Sequence, residues 1–208
     1  MWLFATCNSY ISLKRVVKAS ISESDGNCRR PWKLTSDSST GLGNALLDRA
    51  MYDNENGEIR IANTDWLLMD GSTFRSLLDG IKQSLGTGAV SILFEAGKGA
   101  GRRFAQSLLA EGTLPEEVPT WLEVFFTQGG WGKILARADF SNKTAFVVID
   151  NCATARHVKS NESSCHFIRG YVAGVSEILF NTSVECTEPR CMSKGNATCE
   201  FRAQSSKR

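Results

Sequence analysis

A chain of 208 residues, 42% hydrophobic and 22% charged, is long enough to bury one sizeable core and has an ordinary globular composition. Its formal net charge of +2 comes with no run of Lys and Arg interleaved with aromatics, which excludes the electrostatic footprint of a nucleic-acid binder; Arg29-Arg30 and Arg102-Arg103 read as solvated surface. No stretch of about 18 apolar residues exists, which excludes a membrane-spanning helix, and Met1 to Ile11 lack the basic lead-in and continuous apolar run of a secretory signal.

Residues 1–42, rich in Ser, Asn and Arg, show neither a helical nor a strand period and read as a poorly ordered extension to a domain spanning 43–208. Patterning begins at Met51. After the Asn56-Gly57 turn signal, Glu58 to Ala62 alternate as a half-buried strand. Ser72 is the expected N-cap of a helix with Phe74, Leu77, Leu78, Ile81 and Leu85 on one stripe, ended by Gly86.

A second helix is expected from about Gly88 to Leu109. Its residues Leu93, Gly97, Gly101 and Ala105 recur every four positions, so one face is nearly bare and another backbone can approach it, within the subunit or across a dimer. The run Gly97-Lys98-Gly99-Ala100-Gly101 looks like a phosphate loop only superficially, because a glycine follows the lysine where a magnesium-binding hydroxyl is required. Thr113 to Gln128 reads as a third helix, with Pro119 confining it or delaying its start, and Gly129-Gly130-Trp131-Gly132 breaks it. Lys133 to Ala138 and Thr144 to Asp150 form a hairpin through Ser141-Asn142-Lys143. Ser163 or Ser164 caps a last helix whose buried stripe is Phe167, Tyr171, Gly174, Val175 and Ile178. Ser183 to Glu188 and Thr198 to Ala203 are strands. Helices packed on an antiparallel sheet make an α+β domain.

Seven cysteines are present, and Cys165, Cys186, Cys191 and Cys199 crowd the C-terminal end, a distribution that suits metal binding better than a disulfide framework. The expected location is the cytoplasm, where the sequons at Asn142, Asn161, Asn181 and Asn196 are chance. Cys191 and Cys199 flank a turn between two strands, Glu188 ends the incoming strand, and Cys165 can join them from the start of the last helix. Three thiolates and a carboxylate would fill a tetrahedron around a dication and leave no open position, which points to structural zinc. By spacing alone, buried free thiols compete equally, and His166, Glu185 or Cys186 could replace a ligand.

The run from Cys165 through His166, Gly170 and Tyr171 to Gly174, followed by Glu188-x-x-Cys191 and then Cys199, resembles the 4-vinyl reductase domain. The strong motif covers 165–201, with a looser resemblance over Met51 to Asp150. The intervals of 23, 3 and 8 residues match the zinc ligands of that domain in phenol-responsive transcription activators. The resemblance implies Cys165, Glu188, Cys191 and Cys199 as ligands, and a fold shared with vesicle-tethering TRAPP subunits and haem-containing nitric-oxide sensors. It also implies a homodimer formed through N-terminal helices.

What the resemblance implies for function is a stand-alone module that binds a small apolar or aromatic molecule and reports occupancy to an attached domain or protein partner. Trp121, Phe125, Phe126, Trp131, Phe140 and Tyr171 are the expected walls, although aromatics at such spacing also serve as plain core. The phenol sensors orient the phenol hydroxyl with a His and a Trp ahead of the first zinc cysteine. Here no histidine precedes His157 and Thr144 to Ala155 holds no tryptophan, which argues against carrying over phenol recognition. No dinucleotide, flavin or iron–sulfur spacing supplies reducing equivalents, so an enzyme is the lesser expectation. An accessory protein of tetrapyrrole vinyl-group reduction and a scaffold or trafficking subunit are the alternatives; a haem sensor could draw only on His157 and His166.

Overall fold

The computed structural model describes residues 50–61 and 64–206. The expected extension, 1–42, and the start of the domain at 43 lie outside the described residues. The chain divides into two compact units, Met1–Trp66 and Leu67–Arg208. In the first, β1 (Ala50–Asp53), β2 (Glu58–Ile61) and β3 (Thr64–Trp66) form an antiparallel meander. The expected strand is β2; its two partners carry too little alternation to be read in advance. Gly57 closes the β1–β2 turn with φ 70°, a left-handed conformation that favours glycine.

The second unit holds α1 (Gly71–Leu85), α2 (Gly88–Ala110), α3 (Val118–Gln128), β4 (Lys133–Asp139), β5 (Thr144–Asp150), α4 (His166–Phe180), β6 (Val184–Arg190) and β7 (Cys199–Ser205). The four strands make one antiparallel sheet in the order β4-β5-β7-β6. Ile134 and Ala136 of β4, Val147 and Ile149 of β5, and Phe201 and Ala203 of β7 point into the core. The outer edge of β4 is closed by α3: Ala136 N–H donates to Glu123 Oε1 at 2.8 Å, and Arg137 Nη1 donates to the same oxygen at 2.8 Å.

Helix starts differ from the sequence expectation for local reasons. Asp70, not Ser72, caps α1: its carboxylate accepts from Ser72 N at 2.9 Å and Thr73 N at 3.0 Å, satisfying two otherwise orphaned donors. The α3 start is delayed to Val118, with Pro119 in its first turn where a missing N–H costs nothing, after a short 3-10 turn over Pro115–Glu117. Neither Ser163 nor Ser164 caps α4. Cys165 occupies that position, and the Ser164 hydroxyl donates instead to the Thr154 carbonyl at 3.1 Å.

The central helix is α4, buried almost all round rather than along one stripe. It packs against β6 and β7 on one side and against α2 on the other. The bare face of α2 is filled by this helix. A Cβ at Gly97 would lie 1.9 Å from Phe167 O and one at Gly101 2.1 Å from Tyr171 O; reciprocally, Gly170 and Gly174 would meet Phe94 O at 1.9 Å and Lys98 O at 2.1 Å. Two parallel helices thus touch backbone to backbone, with glycine Cα–H groups facing carbonyl oxygens. Of the two uses expected for that face, the intrachain one is observed, so it is closed to a second copy. Glu177 pins the pair further, taking Lys98 Nζ at 2.8 Å and Arg102 Nε at 2.8 Å.

Candidate metal centre and aromatic cluster

Four elements deliver the cysteine cluster. Cys165 stands at the α4 N-terminus, where Arg169 N–H binds its carbonyl at 2.8 Å. Glu188 lies within a register shift of β6 between Thr187 and Arg190, beside Pro189, which has no N–H to pair. Such an irregularity re-aims a side chain, and here it leaves Glu188 mostly buried. Cys191 begins the tight turn that follows, held by its N–H to Asn196 Oδ1 at 3.1 Å, with Gly195 at φ 88° letting the chain reverse. Cys199 opens β7 opposite Ile149.

The ligand atoms of Cys165, Glu188, Cys191 and Cys199 all lie within 4.8 Å of one another. Sulfur separations are 3.8 Å for Cys165–Cys191, 3.6 Å for Cys165–Cys199 and 4.0 Å for Cys191–Cys199. A tetrahedron with metal–sulfur bonds of about 2.3 Å has edges of about 3.8 Å, so the three thiols already sit at metal-ligand spacing. Both Glu188 carboxylate oxygens are buried with no hydrogen-bond donor on them. Burial, followed by the nearness of the Cys191 thiol, pushes that carboxyl up to about 9. A dication supplies what the protein does not offer those oxygens, and the cluster can therefore hold a metal ion.

Of the alternative ligands, Glu185 is exposed, and the Cys186 thiol lies against its neighbour's carbonyl, Thr187 O, at 3.9 Å, with burial pushing it up to about 12. His166 stands outside the converging set; burial, then the Arg169 charge, lowers its pKa. Donors surround the sulfurs: Thr154 Oγ1 to Cys165 Sγ at 3.1 Å, Met192 N to Cys199 Sγ at 3.3 Å, and Ser193 Oγ beside Cys191 Sγ at 3.0 Å. They offset part of the negative charge such a ligand set carries.

Sequence reading missed Cys152. It follows β5, is fully buried, and places its sulfur 3.7 Å from Cys165 Sγ. The aromatic residues divide. Phe125, Phe126, Trp131 and Tyr171 form one cluster with Phe74, Phe104 and Phe167, in which Trp131 stacks on Phe167 (5.9 Å, 13°) and Phe125 on Tyr171 (6.1 Å, 18°). This cluster lies among the helices rather than against the hairpin. Phe140 stands apart, edge-on to Phe180. Trp121 on α3 is half-buried. Burial raises the Tyr171 pKa, so its hydroxyl stays neutral.

Residues 145–205 match the family model of the vinyl-4-reductase domain. An uncharacterized protein of Methanocaldococcus jannaschii is 28% identical over 83 residues, 40% of this chain and 44% of that protein, so the chain spans less than half the length of this curated relative. Among solved structures, the phenol-responsive sensory domain of the transcription activator PoxR, with phenol, superposes with a TM-score of 0.69 at 14% identity, covering 82% of this chain and 92% of that one. A trafficking protein particle complex subunit 3 from Naegleria fowleri, covalently bound to palmitic acid, gives 0.50 at 16% identity over 66% of this chain and 93% of that one. At these identities the structural matches establish a shared fold.

Proposed function

We propose, from the premise that residues 145–205 form a vinyl-4-reductase domain, that this chain is a small-molecule-binding sensory module whose zinc-pinned unit reports occupancy without doing chemistry. The observation that carries the reading is the superposition on a phenol-responsive sensory domain over nearly that domain's whole length. The cysteine cluster supports zinc in particular: three thiolates and a carboxylate at tetrahedral spacing fill every position, as in a structural site. The five described cysteines are buried and free, which suits a reducing compartment and supports a cytoplasmic location. No helix among the described residues is long and apolar enough to cross a membrane.

The ligand site in this reading is the aromatic cluster between α2, α3 and α4, where Trp131 and Phe167 can part to sandwich an apolar or aromatic molecule. Trp121 lines its approach and Tyr171 offers a neutral hydroxyl. Phe140, beside Phe180, belongs to the site only if the hairpin moves. A homodimer would form through a surface other than the glycine face, and light scattering decides its existence.

Thermal shift with phenols, short hydrocarbons, fatty acids and porphyrins tests the reading, since a ligand that binds only the folded chain raises Tm. A hit that disappears in Trp131→Ala supports it. If no class shifts the transition, the sensory reading fails and the scaffold alternative, which the trafficking-subunit fold likeness favours, takes its place.

A further inference from the structure

Cys152 is a fourth buried sulfur in a cluster that requires only three. Its sulfur stands 3.7 Å from Cys165 Sγ, within the 3.6–4.0 Å range that separates the three converging thiols from one another. It is held there from several sides: its N–H points at Met192 Sδ at 3.4 Å, its carbonyl accepts from Ala155 N and Arg156 N at 3.0 and 2.8 Å, and its sulfur lies 3.3 Å from Thr154 Oγ1. That threonine hydroxyl in turn donates to Cys165 Sγ, so Cys152 and Cys165 share one polar neighbour. A cysteine placed merely as small core would meet carbon on all sides. This one meets a metal-ligand sulfur and the hydroxyl that serves it.

The opposite side of the cluster is the weak one. Glu188 is the only oxygen ligand of the four, it comes from an irregular stretch of β6, and no protein donor holds either of its oxygens. Its position depends on the cation alone, whereas each of the three cysteines has a polar neighbour in the protein. We propose that Cys152 is a reserve metal ligand: when the Glu188 carboxylate is withdrawn, Cys152 takes the fourth position and converts a three-sulfur, one-oxygen site into a four-sulfur site. The inference rests on the metal-binding reading of the cluster. The exchange is stoichiometric, with one carboxylate released, one thiol proton lost to solvent and one metal–sulfur bond formed. It needs no oxidant. Softer thiophilic ions would favour the four-sulfur form, so the site would adapt its donors to the ion bound.

The test uses Co2+ as the probe, because a tetrahedral cobalt site absorbs through its sulfur bonds in proportion to their number. Wild-type protein should show the intensity of three sulfurs. Glu188→Gln should keep the metal and gain about one third in charge-transfer intensity, four bonds replacing three. The double variant Glu188→Gln/Cys152→Ser should return to three-sulfur intensity and bind more weakly than Glu188→Gln. Should Glu188→Gln fail to fold, Glu188→Asp, one methylene too short to reach the metal, is read the same way. Equal spectra and equal affinity in the presence and absence of Cys152 would overturn the proposal while leaving the metal site standing. Failure of wild-type protein to take up Co2+ or Zn2+ would remove the metal reading and this proposal with it.

Discussion

Replacing Gly97 or Gly101 with alanine is expected to cost far more than a methyl group ordinarily does. The added carbon would lie 1.9 or 2.1 Å from a backbone oxygen of α4, where real side-chain carbons come no closer than 3.0 Å. Neither partner can rotate away, because both are main chain in helical interiors. The helices must separate by about an ångström, and a gap of 0.5–1 Å already forfeits roughly a quarter to a half of each dispersion contact. Because α4 is shared between α2 and the sheet, the loss extends along the pair, and we expect about 3 kcal/mol or more, the upper end for overpacking. Gly99 is an internal control: it sits in the same helix, and its Cβ would meet only the Arg103 guanidinium, at 3.6 Å. Gly99→Ala should stabilise by about 0.5–1 kcal/mol through helix propensity. Denaturant unfolding followed by circular dichroism separates the two, as does Tm, at roughly 2–4 °C per kcal/mol for a chain of this size. If Gly97→Ala and Gly99→Ala shift stability in the same direction, the close helix contact is wrong.

Cys191→Ser and Cys199→Ser should lower metal content and thermal stability together, read by elemental analysis and calorimetry, because binding at such a site is coupled to folding. The Glu188 carboxyl is raised in the folded state to about 9 from an unfolded value near 4.5, so its neutral form is favoured by folding. Chelator-treated protein should therefore lose stability as pH rises from about 4.5 to 9, and Glu188→Gln should flatten that part of the profile. Glu177→Gln should destabilise by about 1–3 kcal/mol, less than a fully buried ion pair would, because Arg102 is half exposed; denaturant titration measures it. Any ligand found by thermal shift should bind Phe140→Ala as well as wild type but bind Trp131→Ala poorly, as measured by calorimetric titration.

The four-residue spacing of Leu93, Gly97, Gly101 and Ala105 announces a close-packed face in the sequence, and its partner was equally legible: Gly170 and Gly174 carry the same interval on α4. Spacing also brings out Cys165, Glu188, Cys191 and Cys199, because a turn and a helix start are local features that fix where those side chains go. Cys152 was not legible, since its arrival at the cluster depends on the aperiodic loop between β5 and α4 and on the register of β5 with β7. Helix caps were misread where several polar residues adjoin. Asp70 wins over Ser72 because one carboxylate accepts from two backbone N–H groups, and Ser164 is lost to α4 because its hydroxyl meets a carbonyl elsewhere. Helical spacing finds the aromatic residues of α3 but cannot tell that Phe140 turns to Phe180 instead of joining them.

The position of β7 between β5 and β6 has a bearing on the order in which the protein can be made. The hairpin of β4 and β5 can pair as soon as it leaves the ribosome, and α2 can coil by itself. Yet the inner edge of β5 waits open until the last strand arrives, after α4 and β6 have both been made. The same late strand begins with Cys199, the final member of the cysteine cluster. Sheet closure and metal capture are therefore one terminal event in biosynthesis. Until then α4, apolar on nearly every side, has no floor to rest on, and the nascent chain is most exposed to misassociation when it is almost complete.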